Sequence, residues 1–142
     1  QSYRKAKYFN QAFELFEGYF LSSENNLSKR NLDFIKIILR LTNVKTKILL
    51  SSNLNLESSS SQMLIDILKK LNANIYLHGN GADGYHDIPL FKQNKIVLQR
   101  HNFKHPVYNQ TYKGKFVPGL SIVDVIANVG LDGLADILLS TG

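Results

Sequence analysis

The residues best suited to chemistry lie between His105 and Asn128. His105, Tyr108, Asn109 and Gln110 fall close together in one polar stretch. Ser121, Asp124 and Asn128 then recur at spacings of three and four, which places them on one face of a helix. An imidazole such as His105 titrates near neutral pH and suits acid or base work. Asp124 and Tyr108 add a carboxylate and a phenol that can move or orient a proton. Each residue also has a structural reading. Ser121 followed three residues later by Asp124 is a capping box with Asp in place of Glu or Gln. A single histidine is equally at home in a hydrogen-bonded structural role. Asn128, two turns into the helix, is too far in to be a cap.

Gly79, Gly81 and Gly84 spell G-x-G-x-x-G behind an expected strand. The rest of a dinucleotide site is missing. The helix that follows is short and carries Pro89 in its first turn, and near Lys104 the ribose-binding acid is replaced by Arg100 and His101. The glycines fit either a tight turn or a cradle of backbone N–H groups around an anion. The usual zinc spacing is absent. His101 and His105 are four apart, but Pro106 and the strand before them argue against a helical pair, and Asp83 or Asp87 would have to supply carboxylates. No metal and no cofactor is expected.

Helices and strands must position these groups. Phe9, Phe13, Phe16 and Phe20, widened by Tyr8, Ala12 and Tyr19, predict an amphipathic first helix with a core-facing aromatic stripe. Ser28 is the expected cap of a second helix, with Leu27 and Leu32 as its hydrophobic staple, and Leu32, Ile35 and Leu39 facing inward. Lys47–Leu50 reads as a buried strand ending at Ser51 and Ser52. Ser58–Ser61 starts a helix carrying Leu64, Ile65, Leu68 and Leu71. Ile75–His78 is the second strand, Asp87–Pro89 opens a short helix, and Ile96–Gln99 is the third strand. A long irregular loop, 103–118, leads to a helix from Ser121 to Val129 that Gly130 ends, and a last helix covers Leu134–Leu139. The expectation is a three-layer α/β fold: a small parallel sheet with a β-α-β-α-β core and flanking helices, as one domain over 1–142.

In an open parallel sheet, ligands bind beyond the carboxyl ends of the strands. Ser51, Ser52 and the turn at Gly79 and Gly81 stand at two of those ends. The His105–Gln110 loop and the polar face of the 121–129 helix are expected to meet at the same ends. Ile122, Ile126 and Val129 would bury against the sheet, and Asp124 would find a partner in the loop, Tyr108 or His105.

The 142 residues suit one ordinary domain, and 44% hydrophobic with 20% charged residues is globular composition. With no cysteine, a disulfide scaffold, a thiolate metal site and a cysteine nucleophile are all excluded. No apolar run approaches the ~20 residues of a membrane span, and the polar, basic start is no signal peptide, so a cytoplasmic location is expected. The chain starts without methionine, which suggests a removed leader or a piece of a longer protein. The formal charge is +6. From Ile88 to Val123 stand Lys92, Lys95, Arg100, Lys104, Lys113 and Lys115 with no acidic residue. Such a stretch is a solvated surface or an attractor of phosphate groups. Nucleic acid is an unlikely partner, since no binding module accompanies the charge.

The segment HPVYNQTYKGKFVPGLSIVDVIANVG resembles the C-terminal signature of the WbqC-like family. SYRKAKYF, SSNL and YLHGNGADGY resemble that family's upstream blocks in the same order. The resemblance covers essentially the whole chain and implies the C-terminal portion of a longer member. It implies bacterial surface-polysaccharide (O-antigen) biosynthesis and a group transferase, with glycyl or aminoacyl transfer to a nucleotide-activated amino sugar as the proposed reaction. The alternative is a non-catalytic module that binds an anion or a partner in the same pathway. Motif membership extends to Ser51, Ser52, Gly79, His105, Tyr108, Gln110, Ser121, Asp124 and Asn128. On this reading His105, Asp124 and Tyr108 are the catalytic candidates. Ser51, Ser52, Gly79, Gly81, Gln110, Ser121 and Asn128 are the ligand-binding ones, toward a nucleotide-activated sugar or another phosphate-bearing small molecule.

Overall fold

The computed structural model describes residues 2–79, 81 and 84–140. Asn80, Ala82 and Asp83, which complete the glycine turn, lie outside the described residues. The chain is mostly helical, with a small two-stranded parallel sheet. It packs as two compact units, one of residues 1–46 with 104–142 and one of residues 47–103.

The first unit is helical. Helix α1 spans Phe9–Phe20 and α2 spans Leu27–Leu41. The last helix of the chain, Ile122–Ser140, is broken at Gly130. Ala6, Ala12, Ile38, Ile126, Ala127 and Leu134 form the buried core, with Phe16 and Phe34 packed against it. Ile126 therefore buries among helices, which corrects the expectation that Ile122, Ile126 and Val129 pack against the sheet. The break at Gly130 is stitched by the start of α1. An unbroken helix would join Leu131 N–H to the Ala127 carbonyl. Here Tyr8 N–H donates to the Ala127 carbonyl at 2.9 Å, and Leu131 N–H donates to Gln11 Oε1 at 2.8 Å.

Two expectations for this unit change. The aromatic stripe of α1 is only half core: Phe13 is 51% and Phe20 73% exposed. A periodic stripe fixes which residues share a face, but the face is wider than the surface of the Ile122–Ser140 helix that covers it. The cap of α2 is Asn26 and not Ser28: the Asn26 side chain accepts from Lys29 N–H at 3.0 Å. With the helix starting two residues earlier, Leu27 and Leu32 no longer occupy staple positions, and Leu27 is exposed. The inward face is Phe34 and Ile38, while Ile35 is exposed.

The second unit holds a 3-10 turn at Ser51–Leu54, α3 over Ser60–Lys70, β1 over Ile75–His78, α4 over Ile88–Gln93 and β2 over Val97–Arg100. The two strands are parallel, with Ile75 opposite Val97 and His78 opposite Arg100. Asp87 caps α4 by accepting from Leu90 N–H at 3.0 Å, and Pro89 sits in the first turn as the sequence predicts. Ile65, Leu68, Phe91 and Ile96 form the core, joined by Tyr76 and Leu98 from one face of the sheet. The opposite face, Ile75, Leu77 and Val97, is exposed.

Residues 47–50 form no strand, which corrects the three-stranded core to two strands. Three apolar residues in a row, Ile48, Leu49 and Leu50, carry no period that separates a strand from an extended connection. Leu49 and Leu50 are exposed, so this run lacks the burial that the strand reading assumed. Within this unit, among the described residues, helices cover one face of the sheet, so the unit has two layers and not the expected three. The final helix begins at Ile122, numbered α5 here, and its break at Gly130 matches the helix end expected there.

Candidate functional site

Asp124 is 4% exposed, on the first turn of α5. A carboxylate that deep requires donors, because an unpaired buried charge is costly. The loop before the helix supplies them. Tyr108 donates its hydroxyl to Asp124 Oδ2 at 2.7 Å, and Gln110 Nε2 donates to the same oxygen at 3.1 Å. Asn128, one turn along, donates from Nδ2 to Asp124 Oδ1 at 3.2 Å and to the Asp124 carbonyl at 2.8 Å. The other end of the Asn128 amide holds the loop, accepting from Thr111 N–H at 2.7 Å and from the Thr111 hydroxyl at 2.6 Å. Gln110 closes a smaller ring inside the loop: its Oε1 accepts from Val117 N–H, and its Nε2 also donates to the Val117 carbonyl, both at 2.9 Å.

The loop therefore lies on the polar face of the helix, as the residue pattern predicts, and Asp124 has its partner there in Tyr108. The capping-box reading of Asp124 does not hold, since its side chain is committed to the loop. Ser121 does cap the helix: its Oγ accepts from Val123 N–H at 3.3 Å.

The network shapes the phenols electrically. Burial pushes the Tyr108 phenol up to about 12, helped by the hydrogen bond to Asp124 and its negative charge. Tyr3 is raised in the same direction, by burial first and then by the charge of Asp124 and a hydrogen bond to it. At neutral pH both stay protonated and act as donors, not as bases or nucleophiles.

Asp124 forms part of the wall of a cavity of about 920 Å³, together with Tyr3, Gln110 and Thr111. Arg4, Lys5 and Lys113 also line it, and Asp124 is the one acid among its described lining residues. A neighbouring hollow of about 540 Å³ shares Lys5, Gln110 and Thr111, and Lys7 and Asn128 line it too. Positive groups around one deep carboxylate suit a ligand with phosphate or carboxylate on one side and a hydrogen-bond donor on the other.

The remaining sequence candidates fall elsewhere. His105 is exposed, with its imidazole beside Gly119, and it is not among the residues that line the cavity. Ser51, Ser52, Gly79 and Gly81 belong to the second unit and are exposed. A Cβ at Gly79 or Gly81 would meet open space. Of the basic run, Lys113 reaches the cavity, whereas Lys92, Lys95 and Arg100 belong to the second unit.

Sequence reasoning missed Tyr3, Arg4, Lys5 and Thr111 as site residues. The basic tetrad Arg4-Lys5-Ala6-Lys7 beside Tyr3 was the available signal, but its place next to Asp124 depends on closure of the two ends of the chain. Among the described residues no group of three or more His, Asp and Glu side chains converges as a metal site would require, and no helix is long and apolar enough to cross a membrane.

No curated protein and no solved structure matches this chain. One family model does match it, that of the WbqC-like protein family, over residues 1–136. The match takes in nearly the whole chain, and the chain belongs to that family.

Proposed function

We propose that this WbqC-like protein is a cytoplasmic group transferase of bacterial surface-polysaccharide biosynthesis, moving an aminoacyl group onto a nucleotide-activated amino sugar. The observation that carries the reading is the buried Asp124 carboxylate on the wall of a cavity lined by Arg4, Lys5 and Lys113. The cations receive the phosphates of the sugar nucleotide. The sugar amine attacks the acyl carbon of a donor activated by a phosphate-bearing leaving group. A C–N bond forms, the bond to the leaving group breaks with its electron pair, and the amine proton passes to Asp124.

Asp124 is held at Oδ2 by Tyr108 and Gln110, at Oδ1 by the 3.2 Å bond from Asn128, and by a further bond from Tyr3. Tyr3 lines the cavity, and the amine proton takes the place of its hydroxyl on the carboxylate. Tyr108, held as a phenol, orients the carboxylate. His105 is not among the residues that line the cavity, and this reading assigns it no step.

The test is calorimetric titration with nucleotide-activated amino sugars, joined to a turnover assay with an aminoacyl donor. Asp124→Asn is expected to keep sugar-nucleotide binding while losing roughly a hundredfold or more in rate, the range of general-base catalysis. If the protein binds no sugar nucleotide and turns none over, the transferase reading is wrong.

A second reading, a binding module without chemistry, is favoured by the density of protein donors on Asp124, which leaves little of it for a substrate. It predicts binding without turnover, and an affinity that follows Arg4, Lys5 and Lys113.

A further inference from the structure

Beside the cation-lined cavity runs a groove of a different kind, about 360 Å³ in volume and walled by Phe9, Phe13, Phe16 and Phe20 of α1 and by Val123 of α5. Tyr3 belongs to both walls: it lines the groove and it lines the cavity. Val123 and Asp124, adjacent in the chain, face the two spaces in the same way. An apolar channel thus opens beside a pocket that carries Arg4, Lys5 and Lys113. Phe13 and Phe20, half or more exposed, line the channel and cost hydrophobic free energy while they stay uncovered.

We infer that this pair of spaces takes a lipid phosphate, with its phosphate head among Arg4, Lys5 and Lys113 and its hydrocarbon chain along the aromatic groove of α1. Charge sets the direction. The cations stand at the Tyr3 end, and Glu17 is the one acid among the described residues lining the groove, farther along α1 beside Phe20 and Leu21. An anionic head is drawn to the first end and repelled by the second. An apolar helix laid in the groove would cover the phenylalanines but leave three cations facing the single carboxylate of Asp124. A water-soluble phosphate would satisfy the cations but leave the groove bare. A ligand that is anionic at one end and apolar along its length satisfies both. The inference rests on the proposed function only in taking the cavity to be an anion site.

The experiment compares three probes by calorimetry: decyl phosphate below its micellar concentration, inorganic phosphate and decanol. Decyl phosphate is expected to bind at least about tenfold more tightly than either of the others, since each buried methylene adds to affinity. Phe13→Asp is expected to bring decyl phosphate down to the affinity of inorganic phosphate, and Lys5→Ala to weaken decyl phosphate and leave decanol unchanged. Circular dichroism checks that both variants fold, and if either does not, the three-probe comparison on the native chain still decides. Equal affinity for decyl phosphate and inorganic phosphate overturns the inference. So does a concentration-dependent dimer that Phe13→Asp dissolves, because a second copy then covers the groove. Neither outcome touches sugar-nucleotide turnover, and loss of that turnover with tight decyl phosphate binding would remove the transferase and leave the lipid site standing.

Discussion

The hydroxyl of Tyr108 lies 2.7 Å from Asp124 Oδ2, and this bond ties an irregular loop to the first turn of a helix sixteen residues on. It also couples the loop to pH. The Tyr108 phenol is pushed up to about 12 from its ordinary value of 10.0, so the folded protein holds this proton more tightly than the unfolded chain does. The stability it confers is complete below pH 10 and is lost as pH rises toward 12. Tyr108→Phe is expected to flatten the fall in urea-unfolding free energy between pH 10 and 12. It should also remove one late-titrating phenol from the ultraviolet absorbance titration. At pH 7 the same variant should cost about 1–2 kcal/mol, because a buried carboxylate loses one donor.

Asn128 fastens the loop from its other side. Asn128→Ala takes away the acceptor of both Thr111 N–H and the Thr111 hydroxyl. The Thr111 amide is expected to exchange with deuterium about tenfold faster, the equivalent of about 1.4 kcal/mol of local stability. Amides in the α5 interior should be unaffected. Hydrogen exchange resolved by residue measures both.

Gly130 has φ of 77°, and a Cβ placed on it would stand 2.9 Å from a ring carbon of Tyr8. Backbone strain and the aromatic ring act against any side chain here. Gly130→Ala is expected to destabilise by about 2 kcal/mol or more, read as a lower thermal midpoint. Adding Tyr8→Ala should recover the part of the loss that comes from the ring, and a double-mutant cycle separates it from the backbone part.

The two candidate caps of α2 are separable by substitution. Asn26→Ala removes the acceptor of Lys29 N–H and should cost about 1 kcal/mol. Ser28→Ala, inside the first turn, should change stability by less than about 0.5 kcal/mol. Equal effects in chemical denaturation would mean that the helix starts at both places.

The site's polar face was legible because Ser121, Asp124 and Asn128 keep helical spacing while Ile122 and Ile126 take the opposite face, a pattern that leaves one orientation. Tyr108 was legible as a partner because a buried carboxylate needs a donor and the loop offered few. Tyr3, Arg4 and Lys5 were not, since nothing local says that residues at one end of the chain stand beside residue 124. The strand at 47–50 failed for a related reason. Whether an apolar run pairs depends on a neighbour, and the run itself does not encode one. Asn26 and Ser28 are both good caps two residues apart, and the choice rests on two extra residues of helix, Leu27 and Ser28, a margin that propensity does not resolve.

The second unit interrupts the first, and this has a consequence for how the protein is made. Leu131 N–H and Gln11 Oε1, which close the break in α5, are 120 positions apart. At the usual 5–20 residues per second of translation, the start of α1 precedes its partner by roughly 6 to 24 seconds. Throughout that interval Phe9, Phe13, Phe16 and Phe20 have no α5 to pack against, and the nascent chain presents four phenylalanines to the crowded space around the ribosome. Residues 47–103 are contiguous, and their β-α-β core closes over short separations. The inserted unit is complete early and the host unit late, and the insertion accounts for about half of the 120-residue delay.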